Sequence, residues 1–184
     1  MKKITYAIIL VTITLLLTSC SLGYPSMDRF SEGGFVMGKY FESDEDIANA
    51  RIEQVFETIQ NRDKSNLKKM FSKSALNATD DFDESVTSLF DFFRGEIVSY
   101  DNWGGPQVTS EKNSGHNKKE MQSTYDVKTT EQKYRISIQE FLVDTENPDN
   151  VGVYSFSIIK AEDTDEEYAY WNFGSGIIID QKEK

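Results

Sequence analysis

Glu140 carries the strongest hint of chemistry in this sequence. It stands in the run YRISIQEFLVD, where strict alternation along a strand puts Tyr134, Ile136, Ile138, Glu140 and Leu142 on one face. A carboxylate held against apolar walls could serve as a general acid or base, because burial disfavours its charged form. The same residues allow a second reading. A bulge after Ile138 would turn Phe141 and Val143 inward and leave Glu140 in water. The other reactive side chains offer less. His116 is the only histidine, and its setting NSGHN reads as a polar hairpin tip, with neither the pocket nor the orienting partner a base needs. With one histidine and one cysteine, no Ser-His-Asp, Cys-His or multi-histidine metal spacing can be assembled.

Acidic residues recur where a cation could bind. Asp163, Asp165 and Glu167 alternate as the first ligands of a calcium loop do. However, Tyr168 stands where the EF-hand glycine belongs, and Gly174 where its closing glutamate belongs. Asp144, Glu146, Asp149 and Asn150 form a second acidic turn around Asn147-Pro148. Both read as solvated loops, with weak calcium capture as the open alternative, and no metal site or cofactor is assigned.

The elements that must position these residues follow from periodicity. Ser43 with Asp46 reads as a cap, and Ala48, Ile52, Val55, Phe56 and Ile59 then mark one helical face. Asn61-Arg62-Asp63 breaks that helix. A short second helix from about Ser65 buries Leu67, Met70 and Phe71. A third starts at the cap Asp81, buries Phe82, Val86, Leu89, Phe90 and Phe93, and stops at Gly95. Strands follow at 97–100, 121–128, 134–144 and 151–160, with further ones at 168–173 and 177–179. Residues 101–106 read as a turn and 111–120 as a polar hairpin tip. Met121, Ser123, Tyr125 and Val127 share one face, as do Tyr154, Phe156 and Ile158. Helices followed by a meander of antiparallel strands define an α+β domain.

The N-terminus points outward from the cell. Lys2 and Lys3 precede the apolar run 4–17, which falls short of the roughly 20 residues a membrane-spanning helix needs. Small Thr18 and Ser19 then lead to Cys20. The order Leu17-Thr18-Ser19-Cys20 resembles the lipobox of bacterial lipoproteins. That resemblance implies cleavage after Ser19, diacylglyceryl on the Cys20 sulfur, and anchorage at the outer face of the bacterial cytoplasmic membrane. An uncleaved anchor and an ordinary buried cysteine are the alternatives. Residues 1–19 are then a signal peptide, 20–43 a tether and 44–180 the domain. The apolar Phe35, Val36, Met37, Tyr40 and Phe41 leave open whether the tether's second half docks. Cleavage takes the 20 basic residues to 18 against 31 acidic ones, a formal charge of −13. Such a surface repels nucleic acid and anionic lipid.

Three helices in the concavity of a long curved antiparallel sheet resemble the nuclear transport factor 2-like superfamily. WGGP at 103–106, YDVKTTEQKYRISIQEF at 125–141 and DTENPDNVGVYSFSIIKAED at 144–163 resemble a family of Gram-positive bacterial lipoproteins without an assigned activity. The resemblance implies a cone with a pocket at its open end, lined by Glu140, Tyr125, Tyr154 and Trp171. The expected role is binding of a small apolar ligand or a protein partner. The alternatives are a proton-transfer isomerase or lyase using Glu140 with Tyr154 or Tyr125, and a structural module dimerising through its sheet, as relatives of this fold do. Trp103 reads as a packed turn residue unless it is exposed, in which case it marks a contact surface.

Overall fold

Side-chain caps set the helical half of the domain. The computed structural model describes residues 43–163 and 174–180, all within one unit that spans Val36–Lys184. Helix α1, Asp44–Gln60, opens on a complete capping box. Ser43 Oγ accepts from the Asp46 amide at 3.1 Å, and the Asp46 carboxylate accepts from the Ser43 amide at 3.3 Å. Ala48, Ile52, Val55, Phe56 and Ile59 face the core as the spacing predicts, and Arg51 is buried with them.

The expected second helix is two. Helix α2, Lys64–Met70, is capped by Asp63, and α3, Lys73–Ala78, by Ser72. Between them Phe71 is extended and bridges Val153, while the Ser72 amide donates to the Val153 carbonyl at 2.9 Å. A second serine cap directly after Phe71 therefore restarts the helix, giving four α-helices among the described residues where three were expected. Helix α4, Phe82–Phe92, begins at Asp81 as expected and buries Phe82, Val86, Leu89 and Phe90. It ends on an extended Phe93 rather than on Gly95. Gly95 has φ +81°, and a Cβ there would lie 2.7 Å from Thr130 Oγ1, so glycine permits a close approach to the turn after β3.

The strands are β1 (Ile97–Asn102), β2 (Gln107–Asn113), β3 (His116–Thr129), β4 (Lys133–Asp144), β5 (Gly152–Lys160) and β6 (Gly176–Asp180). They form one curved sheet in the order β1-β3-β4-β5-β6, with β2 also paired to β3. Both β1 and β2 lie along β3, so Trp103-Gly104-Gly105-Pro106 is a kink between two stretches of one edge. Gly104 and Gly105 sit at φ +78° and +81°, where only glycine is unstrained. The expected polar hairpin is there, paired from Gln107–Gln122 to Asn113–His116 and turning only at Ser114-Gly115. Every residue of β2 is exposed, so no apolar alternation marks it.

The sheet is mixed, not antiparallel. Strand β6 runs parallel to β5, with Phe156 opposite Ile177 and Ile158 opposite Ile179. The chain between β5 and β6 is long enough for the crossover that parallel pairing requires, so the short-loop rule does not apply there. The expected strand at 168–173 lies outside the described residues, as do Cys20, the residues before Ser43, and Trp171.

On the face toward the helices, Met121, Ser123, Tyr125 and Val127 meet Tyr134, Ile136, Ile138 and Glu140 across β3 and β4. Phe156 and Ile158 extend this face on β5. Phe56, Phe90, Phe93, Ile136 and Ile138 are all buried in the single core between sheet and helices. Among the described residues no helix is long and apolar enough to cross a membrane.

Candidate functional site

Glu140 is buried, and the bulge that could have expelled it comes one step too late. Glu140 pairs with Met121 and Phe141 with Glu120, but Lys119 then pairs with Val143. The extra residue is therefore Leu142, which loses its place on the inner face. On the other side, Gln139 faces Ser155 and Glu140 faces Val153, leaving Tyr154 unpaired. Glu140 stays inward, 1% exposed.

Its partner comes from α1. Arg51, 3% exposed, places Nε 2.9 Å and Nη2 2.8 Å from Glu140 Oε2. Nη1 of Arg51 donates to Gln54 Oε1 at 3.0 Å. Both guanidinium contacts to Glu140 converge on one oxygen, whereas a fork over both is the common arrangement. Glu140 Oε1 is buried without a hydrogen-bond partner. Arg51 falls on the apolar face of α1, which is why periodicity alone passes it over.

A second polar group lies beneath the same helix. Asn49 Oδ1 accepts from the Tyr125 hydroxyl at 3.3 Å and from Asn102 Nδ2 at 3.4 Å. Asn102 Oδ1 is buried and has no partner. Burial pushes the Tyr125 hydroxyl well above its ordinary pKa; a hydrogen bond with Ser123 opposes this, and the charges of Tyr100, Glu140 and Glu45 add to it. Tyr100 is pushed up to about 12, by burial first and then by Glu53, whose Oε1 accepts from its hydroxyl at 2.7 Å. At the rim, Asp44 in the first turn of α1 pairs with Lys119, two residues from Met121. Polar contacts through Asp44, Asn49, Arg51 and Glu53 thus fix α1 alongside its buried apolar face.

Of the four residues expected to line one pocket, Tyr125, Glu140 and Tyr154 are among the described residues. Tyr125 and Glu140 share the inner face beneath α1. Tyr154 is half-buried at its bulge and packs edge-on against Phe141, with ring centroids 5.6 Å apart. Trp171 lies outside the described residues. Tyr134 takes a role its alternation did not reveal. Its hydroxyl accepts from the Arg94 amide at 2.8 Å and donates to the Phe92 carbonyl at 3.0 Å, closing the end of α4.

His116 has the orienting partner its sequence setting did not promise. Its Nδ1 lies 2.7 Å from Glu146 Oε1, both side chains being exposed. A shallow depression beside them is lined by Glu111, Asn117, Lys118 and Asp144. Asp144 shapes this turn. Its Oδ2 accepts from Asn150 Nδ2 and its Oδ1 from the Asn147 amide, each at 2.9 Å, and these bonds lower its pKa. Among the described residues no three His, Cys, Asp or Glu side chains converge to hold a metal ion. Asp165 and Glu167 are outside the described residues.

Trp103 is exposed at the kink, by 47%, with the Arg135 guanidinium 5.6 Å from its ring centre. Arg135 in turn holds Asp126 through Nε at 2.8 Å and Nη2 at 3.2 Å.

Four helices on one curved mixed sheet, with a buried ion pair joining α1 to β4, define the class as an α+β domain. Within it, the chain belongs to the domain of unknown function family DUF5104, which matches residues 54–161. That match takes in Glu140, Tyr125, Trp103 and His116 and begins just after Arg51. No curated protein matches the chain.

Proposed function

We propose that this is a nuclear transport factor 2-like cone, held by lipid on Cys20 at the outer face of the bacterial cytoplasmic membrane, and that it binds rather than catalyses. The observation that carries the reading is the Arg51–Glu140 pair. A general acid or base must reach a substrate proton, and Glu140 is enclosed with one oxygen held by Arg51. The apolar interior is occupied by Phe56, Phe90, Phe93, Ile136 and Ile138, which favours a polar ligand or a surface partner over an apolar guest.

A surface partner has its own support in the exposure of Trp103, since tryptophan is enriched among residues that dominate interfaces. Two experiments test the reading. Cys20→Ala should release the chain from membranes or leave it unprocessed, because two acyl chains anchor stably where one does not. Unchanged membrane retention overturns the anchor. A photo-crosslinking residue at Trp103 should capture one defined protein on intact cells, and capture equal to that from exposed Thr109 overturns the contact surface.

A further inference from the structure

We propose that residues 36–41, the apolar stretch just before the cap of α1, dock on the concave side of the β2–β3 arm and cover Val108.

An uncovered stretch of the inner face comes first. Val108 stands opposite Met121, so it shares the side of the sheet that faces the helices. Met121 is 0% exposed there, whereas Val108 is 37% exposed. Further along the arm, Ser110 stands opposite Lys119, and Lys119 opposite Val143, which is half-buried. The concave side of the arm thus carries a valine on each side of β3. Every residue of β2 is exposed, so no described element lies over this part of the sheet. An antiparallel sheet keeps one face packed, and here the packing on that face stops at the start of α1.

Chain position selects the occupant. Lys119 pairs with Asp44, the first residue of α1, so the chain enters the domain at this face. Directly before that entry stands VMGKYF, residues 36–41, with Val36, Met37, Tyr40 and Phe41 as large apolar side chains. The unit that contains the domain begins at Val36. Six extended residues span about 20 Å, enough to reach either end of β2 from the level of Lys119. A segment joined to the chain beside its own docking face acts at high effective concentration, which places it ahead of a second copy or a separate protein. Where Cys20 carries lipid, docking leaves only residues 21–35 as free span between membrane and domain.

Thiol labelling reads the cover directly. Val108→Cys and Thr109→Cys are placed singly in the full-length Cys20→Ala chain, purified in detergent. Thr109 stands opposite Glu120, on the other side of the same strand, and is exposed. Each maleimide rate is taken relative to that of the same chain unfolded in urea. Val108→Cys should react at least about tenfold more slowly than Thr109→Cys, the population shift that burying one large apolar side chain brings. Adding Val36→Ser, Met37→Ser, Tyr40→Ser and Phe41→Ser together should release Val108→Cys and leave Thr109→Cys unchanged. Equal rates at the two positions in the chain with its native tether overturn the proposal, as does slow labelling of Val108→Cys that the four serines leave in place. Slowing that grows with protein concentration assigns the face to a second copy and overturns it as well. None of these outcomes touches membrane release by Cys20→Ala or crosslinking at Trp103, so docking and the broader reading can fail separately.

Discussion

Removing Arg51 should damage this fold more than removing both members of its ion pair. In Arg51→Met the Glu140 carboxylate remains buried, and Oε2 loses both guanidinium contacts while Oε1 already has none. Breaking a buried pair from one side costs about 3–5 kcal/mol, most of it the stranded charge. In the double variant Arg51→Met/Glu140→Leu no charge remains. Met121 and Val153, the strand neighbours of Glu140, offer apolar contact to the new leucine. Apolar replacement of buried pairs is often neutral or stabilising by about 1–4 kcal/mol, so the double variant should unfold at or above the wild-type urea midpoint. Total stabilities of about 5–15 kcal/mol make the single variant marginal but measurable. The assay is urea unfolding of all three proteins at pH 7, followed by tryptophan fluorescence and circular dichroism. A single variant within about 1 kcal/mol of wild type would refute the burial argument. A double variant as unstable as the single would show that the pair positions α1 rather than merely cancelling charge.

Three other perturbations test separate parts of the structure. Gly176 and Gly104 both hold positive φ, but a Cβ at Gly176 would lie 2.2 Å from Thr79 Oγ1 while one at Gly104 meets nothing within 4 Å. Gly104→Ala should therefore cost only the backbone penalty of about 1–2 kcal/mol, and Gly176→Ala clearly more, as read from urea midpoints. Asp144 has its pKa lowered below 3.8 by Asn150 and the Asn147 amide, so its stabilisation is present above that pH and lost as pH falls through the folded value. Asp144→Ala should be about 1–3 kcal/mol less stable at pH 7, and the gap should narrow on acidification; a gap independent of pH counts against this role. Tyr100, Tyr125 and Tyr134 all have raised pKa values, so they favour the folded state below pH 10, and that contribution disappears as pH rises through their folded values. Absorbance near 295 nm should show a late group of tyrosines ionising at about 12 or above, together with unfolding. Simultaneous titration of every tyrosine near 10 would contradict their burial.

Much of the architecture was written in local patterns. The capping residues Ser43 and Asp81 began their helices where the side chains required, and the inner face of β3 followed its alternation. The misses have local causes too. Strand β2 carries no apolar alternation because every residue is exposed, so its pairing depends on β3 and not on its own composition. The break after Phe71 turned on one serine, whose hydroxyl caps α3 while its amide is tied to Val153, a residue far along the chain. The parallel setting of β6 is likewise a property of the connection before it and not of its isoleucines.

The candidate site shows where such patterns stop. Alternation placed Glu140 inward, and the rarity of buried glutamate argued for the opposite, because both arguments treated the strand alone. What decides between them is Arg51, which lies on a different element and counts as a polar interruption in an otherwise apolar helical stripe. Read singly, each residue is an error in its own pattern. Together they explain each other, since a misplaced cation on α1 and a misplaced anion on β4 can be buried only against one another. A pair of opposite pattern violations on elements expected to pack is thus a contact signal within a single sequence. The unfilled oxygen on Glu140 goes further, because the pair accounts for the burial of the carboxylate but leaves one of its two acceptors unanswered. A guanidinium spread over both oxygens would have answered both acceptors, so the one-sided contact leaves the pair short of the common fork.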